Sequence, residues 1–218
     1  MSPTFAFIHT SHVLIPTFAQ LAKEHLPGYE VFHMTDESLI KNTIRAGHLT
    51  PDTRRRVCGM VGLAHEGGAD AVMVTCSSIG PSVENARAIY DFPIFRIDEA
   101  MAERAVTMAE RVGVAATLRT TLDPTLALLE QTAARAGRNV TFVPRLSDGA
   151  FQAVIEGKTE LHDNMVTEML QQLMQEVDVV VCAQASMARV LPRIDTSKVP
   201  VLTSPELALQ RVRERLLG

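Results

Sequence analysis

Ala69-Asp70-Ala71-Val72-Met73-Val74-Thr75-Cys76-Ser77-Ser78-Ile79-Gly80-Pro81 is the stretch that decides how this chain folds. Asp70 to Val74 reads as a buried strand, because a short apolar run with β-branched residues follows Gly67-Gly68. Thr75-Cys76-Ser77-Ser78 is the turn after it, and Pro81 suits the first turn of a following helix. A thiol at a strand's carboxyl end and a helix's amino end meets backbone N–H groups and a positive dipole. Both favour the thiolate, so Cys76 is expected to alkylate with an apparent pKa well below the ~8.5 of a free thiol. A buried structural cysteine is the plain alternative, and the polarity of the turn argues for chemistry.

The segment recurs. Asp178-Val179-Val180-Val181-Cys182-Ala183-Gln184-Ala185-Ser186 repeats it 108 positions later, mapping Asp70 on Asp178 and Cys76 on Gln184 rather than on Cys182. Pro93-Ile94 returns as Pro200-Val201, Gly47 falls near Gly157, and Phe5-Ala6-Phe7-Ile8-His9 falls on Gly113-Val114-Ala115-Ala116-Thr117. Together these point to two structurally equivalent halves, 1–98 carrying Cys76 and 99–218 carrying Gln184 and Cys182.

Around that frame, strand-like runs appear at Phe5–His9, Glu30–His33, Ala71–Thr75, Ile94–Phe95, Val112–Ala116, Val140–Val143, Val179–Ala183 and Val199–Leu202. Helical periodicity fills the spaces at Val13–Glu24, Thr53–His65, Ser82–Tyr90, Ala100–Glu110, Pro124–Ala136, Leu161–Gln175 and Glu206–Leu217. Such alternation means α/β: two pseudo-symmetric four-stranded parallel-sheet halves with right-handed crossovers, and an active site in the cleft between them. Met34–Pro51 and Pro144–Thr159 are left as loops that line the side-chain pocket.

A net charge of −4, no tryptophan and two tyrosines give no footing for nucleic acid. Arg54-Arg55-Arg56 is the only basic cluster and suits a solvated helix face. Met1-Ser2-Pro3-Thr4 lacks the charged region of a signal peptide, and no run approaches about 18 apolar residues. Three cysteines without a Cys-x-x-Cys pair fit a reducing, cytoplasmic setting. The seven histidines form no ligand-spaced cluster, so neither a metal nor a cofactor is expected, and no membrane partner. A homo-oligomer is compatible with the composition.

Ligands of open parallel sheets bind beyond the carboxyl ends of strands. Four such turns are polar: His9-Thr10-Ser11-His12, Thr75-Cys76-Ser77-Ser78, Thr117-Leu118-Arg119-Thr120-Thr121 and Gln184-Ala185-Ser186. Hydroxyls there also serve as ordinary helix caps, and for Ser11 and Thr120 both roles stay open. His9 and His12 can orient or protonate a ligand, or satisfy a loop. Arg119 can pair with a second carboxylate or lie exposed.

These residues resemble the aspartate/glutamate (Asp/Glu/hydantoin) racemase superfamily, in which each half ends a strand in a catalytic cysteine. Asp70-x5-Cys76-Ser77-Ser78 is similar to the family's first motif, and Thr117-Leu118-Arg119-Thr120 to its Ala-Thr-x-Gly-Thr turn, which holds a substrate carboxylate. The second cysteine position is Gln184 here, with Ser186 where a His or Glu would follow, and Cys182 two residues earlier in the apolar run. The resemblance implies a cofactor-independent isomerase acting on a small carboxylate or amino-acid-like substrate. Ser11, Thr75, Ser77, Thr117 and Thr120 would then stabilise enediolate-like charge, with Ser78 and Ser186 as further substrate-binding residues.

Racemisation needs one acid/base per face of the α-carbon, and Cys76 supplies one. The other face is left to Cys182, His9 or His12. Alternatively the chemistry is one-sided: decarboxylation of a malonate-like acid with protonation from Cys76, or isomerisation through thiolate addition. Carboxylate binding without turnover is the third reading. Gln184 can orient a carboxylate but cannot exchange a proton at neutral pH.

Overall fold

Strands β1 (Thr4–His9), β2 (Glu30–Thr35), β3 (Ala71–Val74) and β4 (Ile94–Arg96) form one sheet in the order β2-β1-β3-β4. Strands β5 (Arg111–Ala116), β6 (Thr141–Leu146), β7 (Val179–Cys182) and β8 (Val201–Thr203) form another, in the order β6-β5-β7-β8. The computed structural model describes residues 2–218, and every strand pairing among them is parallel. Parallel strands need helical crossovers that cover both faces. This is why β3 and β7 are apolar and buried at every position. The helices are α1 (Ile15–His25), α2 (Glu37–Ala46), α3 (Pro51–Glu66), α4 (Ser82–Arg87), α5 (Glu99–Met108), α6 (Arg119–Arg135), α7 (Ala150–Ile155), α8 (Thr159–Leu173) and α9 (Ser204–Leu216), of which α5 joins the two sheets and α9 follows the last strand. No helix among the described residues is long and apolar enough to cross a membrane.

The strand alternation sorts the first sheet into two cores. Ala6, Ile8, Val72 and Val74 pack with Val57, Cys58, Val61 and Val83 of α3 and α4. Phe5, Phe7, Ala71 and Met73 pack on the other face with Phe18 and Ala22 of α1 and Leu209 and Val212 of α9. In the second sheet Ala115, Val180 and Cys182 pack with Val166, Leu170 and Leu173 of α8. Gly113 of β5 makes room for this packing, since a Cβ there would lie 2.8 Å from Leu173 Cγ.

Two compact units result, one the chain up to Ile97 together with Pro205–Gly218, the other Asp98–Ser204. The sequence boundary at 98/99 therefore needs one amendment: the last helix belongs with the first half, because Ala208, Leu209 and Val212 bury against Phe5, Phe7 and Phe18. The repeated aspartates have a structural task in both units. Asp70 Oδ2 accepts Thr4 N–H at 2.7 Å, and Asp178 Oδ2 accepts Arg111 N–H at 2.9 Å, so each closes off the start of the neighbouring strand.

Both segments left as loops contain helices. Met34–Pro51 holds α2, capped by Asp36 accepting Ser38 N–H at 3.0 Å and ended by Gly47 at φ +74°. Those two signals, an Asp cap and a left-handed glycine eleven residues on, stand in the sequence. Pro144–Thr159 holds α7, only six residues long and entered through Gly149. The second correction concerns Pro124, which does not start α6. The helix begins at Arg119, and Pro124 lies inside it, so Arg119, Thr120 and Thr121 are its first turn rather than part of a loop.

Candidate functional site

In the first unit Cys76 is the second residue beyond β3, after Thr75, and stands at the start of a short 3-10 turn, Ser77–Ile79. It keeps partial solvent exposure and packs its other side on the core shared with α3 and α4. Its sulfur is the focus of four donors. The Thr10 hydroxyl, the Ser78 and Ile79 backbone N–H groups and the Ser78 hydroxyl all hydrogen-bond it and favour the thiolate. Burial nevertheless outweighs them and pushes the Cys76 thiol up from its ordinary value. The expectation of a depressed thiol is therefore corrected: the direction is upward. The helix that would lend its dipole, α4, begins only at Ser82, so one 3-10 turn separates it from the sulfur.

The second unit repeats the arrangement with different atoms. Gln184 is the second residue beyond β7, and its Oε1 accepts both Thr117 N–H at 2.6 Å and the Thr117 hydroxyl at 3.0 Å. Thr117 follows β5 directly as Thr10 follows β1, so each unit aims a threonine hydroxyl at the residue two beyond its third strand. Two donors on Oε1 orient the amide and leave the Nε2 hydrogens for a ligand acceptor. Close by in sequence, the first turn of α6 has no side-chain cap, and the Thr120 hydroxyl is buried without a hydrogen-bond partner among the described residues. A buried hydroxyl with no partner carries a desolvation cost that a ligand oxygen would relieve.

The remaining sequence candidates divide plainly. Cys182 ends β7 inside the second core, fully buried, and burial alone pushes its thiol up to about 12, so it is a core residue. His9 is also fully buried. It stacks on Phe7 and meets Phe18, on the sheet face opposite to the core that Cys76 packs against. It cannot orient a ligand beside Cys76. Thr75 belongs to the same far face: its hydroxyl donates to the Ile8 carbonyl at 3.1 Å and bonds His9 Nδ1 at 2.8 Å, which removes it from the ligand donors. Its alternation with Cys76 makes this unavoidable. His12 is exposed and pairs with Glu37 at 2.6 Å.

Ser77 and Ser78 are buried around the sulfur, and Ser11 is half-buried as an N-cap residue whose side chain makes no cap bond. Arg119 is exposed, 3.7 Å from Asp123, and Ser186 is exposed in the 3-10 segment Ala185–Arg193. Sequence reasoning passed over Thr10, although its relation to Thr117 follows from the same internal repeat. It also passed over Arg96, a buried arginine whose Nε lies 2.5 Å from where a Gly80 Cβ would stand. Glu24, His25 and Glu206 hold three ligand-capable atoms within 4.8 Å of one another. His25 Nε2 and Glu206 Oε1 already satisfy each other at 2.8 Å, and both carboxylates are exposed. That is the pattern of a surface pair.

Comparison with known proteins matches residues 8–212 to the Asp/Glu/Hydantoin racemase family. Comparison with curated proteins gives no match. Among solved structures, the chain is similar to a glutamate racemase isoform from Bacillus anthracis, with a TM-score of 0.73 at 14% identity, covering 99% of this chain and 82% of that one. It is similar to an allantoin racemase from Klebsiella pneumoniae, TM-score 0.69 at 19% identity, covering 99% and 88%. An aspartate racemase homologue from Pyrococcus horikoshii superposes with a TM-score of 0.72 at 12% identity over the whole of both chains.

Proposed function

The chain belongs to the Asp/Glu/Hydantoin racemase family and is a racemase-type isomerase, and we propose that it works without a cofactor on a small carboxylate, with Cys76 as its one thiol acid/base. The observation that carries this reading is the parallel between the two turns. Thr10 addresses Cys76 in one unit, while Thr117 addresses Gln184 in the other. Where the first unit presents a sulfur able to exchange a proton, the second presents amide N–H donors, an unpartnered Thr120 hydroxyl and an uncapped helix start. The first turn carries the group suited to moving a proton, and the second carries donors suited to a carboxylate.

In the isomerase reading the α-carbon proton passes to the Cys76 thiolate, leaving an enediolate-like anion, and a proton then returns to carbon. Thr10, Ser78 and Ile79 donate to the sulfur while it is charged. Cys76→Ala and Cys76→Ser are expected to abolish turnover in a screen of amino acids, hydantoin-like compounds and small dicarboxylates. Retained activity in either would exclude the thiol mechanism. Gln184→Cys is expected to raise α-proton exchange at the face the wild type serves slowly, read by deuterium incorporation.

A second reading is decarboxylation of a malonate-like acid, and the presence of Gln184 where a second thiol would stand favours it. Loss of carbon dioxide generates a carbanion without any base, and a resting neutral thiol is the form that protonates it. Deuterated water separates the two: isomerisation exchanges an α-proton and keeps the carbon count, whereas decarboxylation releases carbon dioxide.

A further inference from the structure

On the face of the first sheet away from Cys76, hydrogen bonds run in one direction. Thr75 Oγ1 spends its only proton on the Ile8 carbonyl at 3.1 Å, so toward His9 Nδ1, at 2.8 Å, it accepts. His9 therefore carries its proton on Nδ1 and accepts at Nε2, where the partner is His33 Nδ1 at 2.9 Å. A doubly protonated His9 is opposed by burial and by the neighbouring His33, which lower its pKa to about 4. His33 consequently donates from Nδ1 and keeps a lone pair on Nε2, which has no partner among the described residues.

His33 also lines a cavity of about 400 Å³, bounded by α1 and β2. Ala22, Leu26 and Val31 give it apolar walls, Tyr29 a phenol and Lys23 an ammonium. The cavity is half open to solvent and roomy enough for a small ring acid. Lys23 is exposed and has no ion-pair partner among the described residues.

We propose that this cavity binds a small organic carboxylate with an apolar body, and that His33 Nε2 takes up one proton from solvent as the anion enters. The empty cavity presents one cation and a lone pair that repels an anion. Adding the proton turns the lone pair into a donor and gives the carboxylate two positive partners. The relay needs no rearrangement, since His33 Nδ1–H goes on donating to His9. His9 of β1 bonds and stacks on His33, Phe7 of β1 stacks on it, and Lys23 of α1 and Tyr29 of the connecting loop line the same cavity. Burial opposes a charge on His33 when no anion is present, so proton and anion enter together. The hydrogen-bond chain passes through Thr75, the residue before Cys76, and ends at the Ile8 carbonyl.

Benzoate is the probe, titrated by calorimetry into the full chain in HEPES and in Tris, which differ in ionisation enthalpy. Saturable binding is expected, with close to one proton taken up per benzoate, and affinity rising about tenfold for each unit of pH lowered while His33 is neutral in the free protein. The ring resonances of wild-type His33 should report protonation on benzoate addition, a readout independent of any variant's folding. Lys23→Met, at an exposed helix position, is expected to weaken binding about fivefold. His33→Phe, which preserves the ring stacked on Phe7 at 5.3 Å, should abolish the proton uptake. Absence of saturable binding, binding without proton uptake, or binding indifferent to both substitutions would overturn the proposal. The last outcome would place benzoate at another site, including the Cys76 turn.

Discussion

Thr10→Val isolates one of the four donors that hold the Cys76 sulfur. Thr10 is buried and valine matches its shape, so the substitution removes the hydroxyl and little else. Among the groups that favour the thiolate, its hydroxyl acts most strongly, and the others are backbone N–H groups or the Ser78 hydroxyl within the turn itself. A hydrogen bond to a charged group contributes about 1.5–3 kcal/mol, and the lower end applies because the sulfur keeps some solvent access. At 1.36 kcal/mol per tenfold, the thiolate population at a fixed pH below its midpoint should fall about tenfold. Intrinsic nucleophilicity rises as the thiol becomes more basic, with a Brønsted slope near ~0.45, which returns about a factor of three. The net expectation is alkylation by iodoacetamide about threefold slower at pH 8.5. Cys58 and Cys182 are buried and do not contribute to the measured rate. Thr117→Val, made at the equivalent place in the other unit, should leave the rate unchanged. Alkylation of Thr10→Val at the wild-type rate, in a protein with unchanged circular dichroism, would refute the donor geometry and with it the matched roles of Thr10 and Thr117.

Two further outcomes concern stability. His9 has a folded pKa near 4 against an ordinary 6.5, so between those values the unfolded chain binds the extra proton. Its contribution is full above pH 6.5 and is lost as pH falls through about 4, roughly 3 kcal/mol in all. Urea titrations at pH 7.5 and 4.5 should show that loss, and a His9 resonance titrating near pH 6.5 would contradict it. Cys182 works in the opposite sense: with its thiol pushed up to about 12, its contribution is full below the ordinary 9.0 and is lost as pH rises from there. Cys182→Ala should cost about 1 kcal/mol at neutral pH while flattening the alkaline fall by about 1.4 kcal/mol per pH unit. Equal alkaline slopes in the two proteins would mean that Cys182 meets water.

The sequence by itself determined the fold class and the internal register. Strands that are covered on both faces must be short apolar runs, and runs of that kind separated by amphipathic helices leave little choice of topology. Counting from Asp70 and Asp178 was enough to give Gln184 the place in the second unit that Cys76 has in the first, and to sink Cys182 one strand repeat deeper, because side chains alternate with period two. What tertiary structure decided were the quantities that depend on neighbours far apart in the chain. Thr75 and Cys76 are adjacent and equally polar, yet alternation turns one toward His9 and His33 and leaves the other beside Thr10. Nothing local announces that Thr10 reaches across from β1, or that α9 completes the first core. The direction of the Cys76 thiol reversed for the same reason. Donors close in sequence are countable from the motif, whereas desolvation is a sum over everything packed around the sulfur, and only the folded chain carries out that sum.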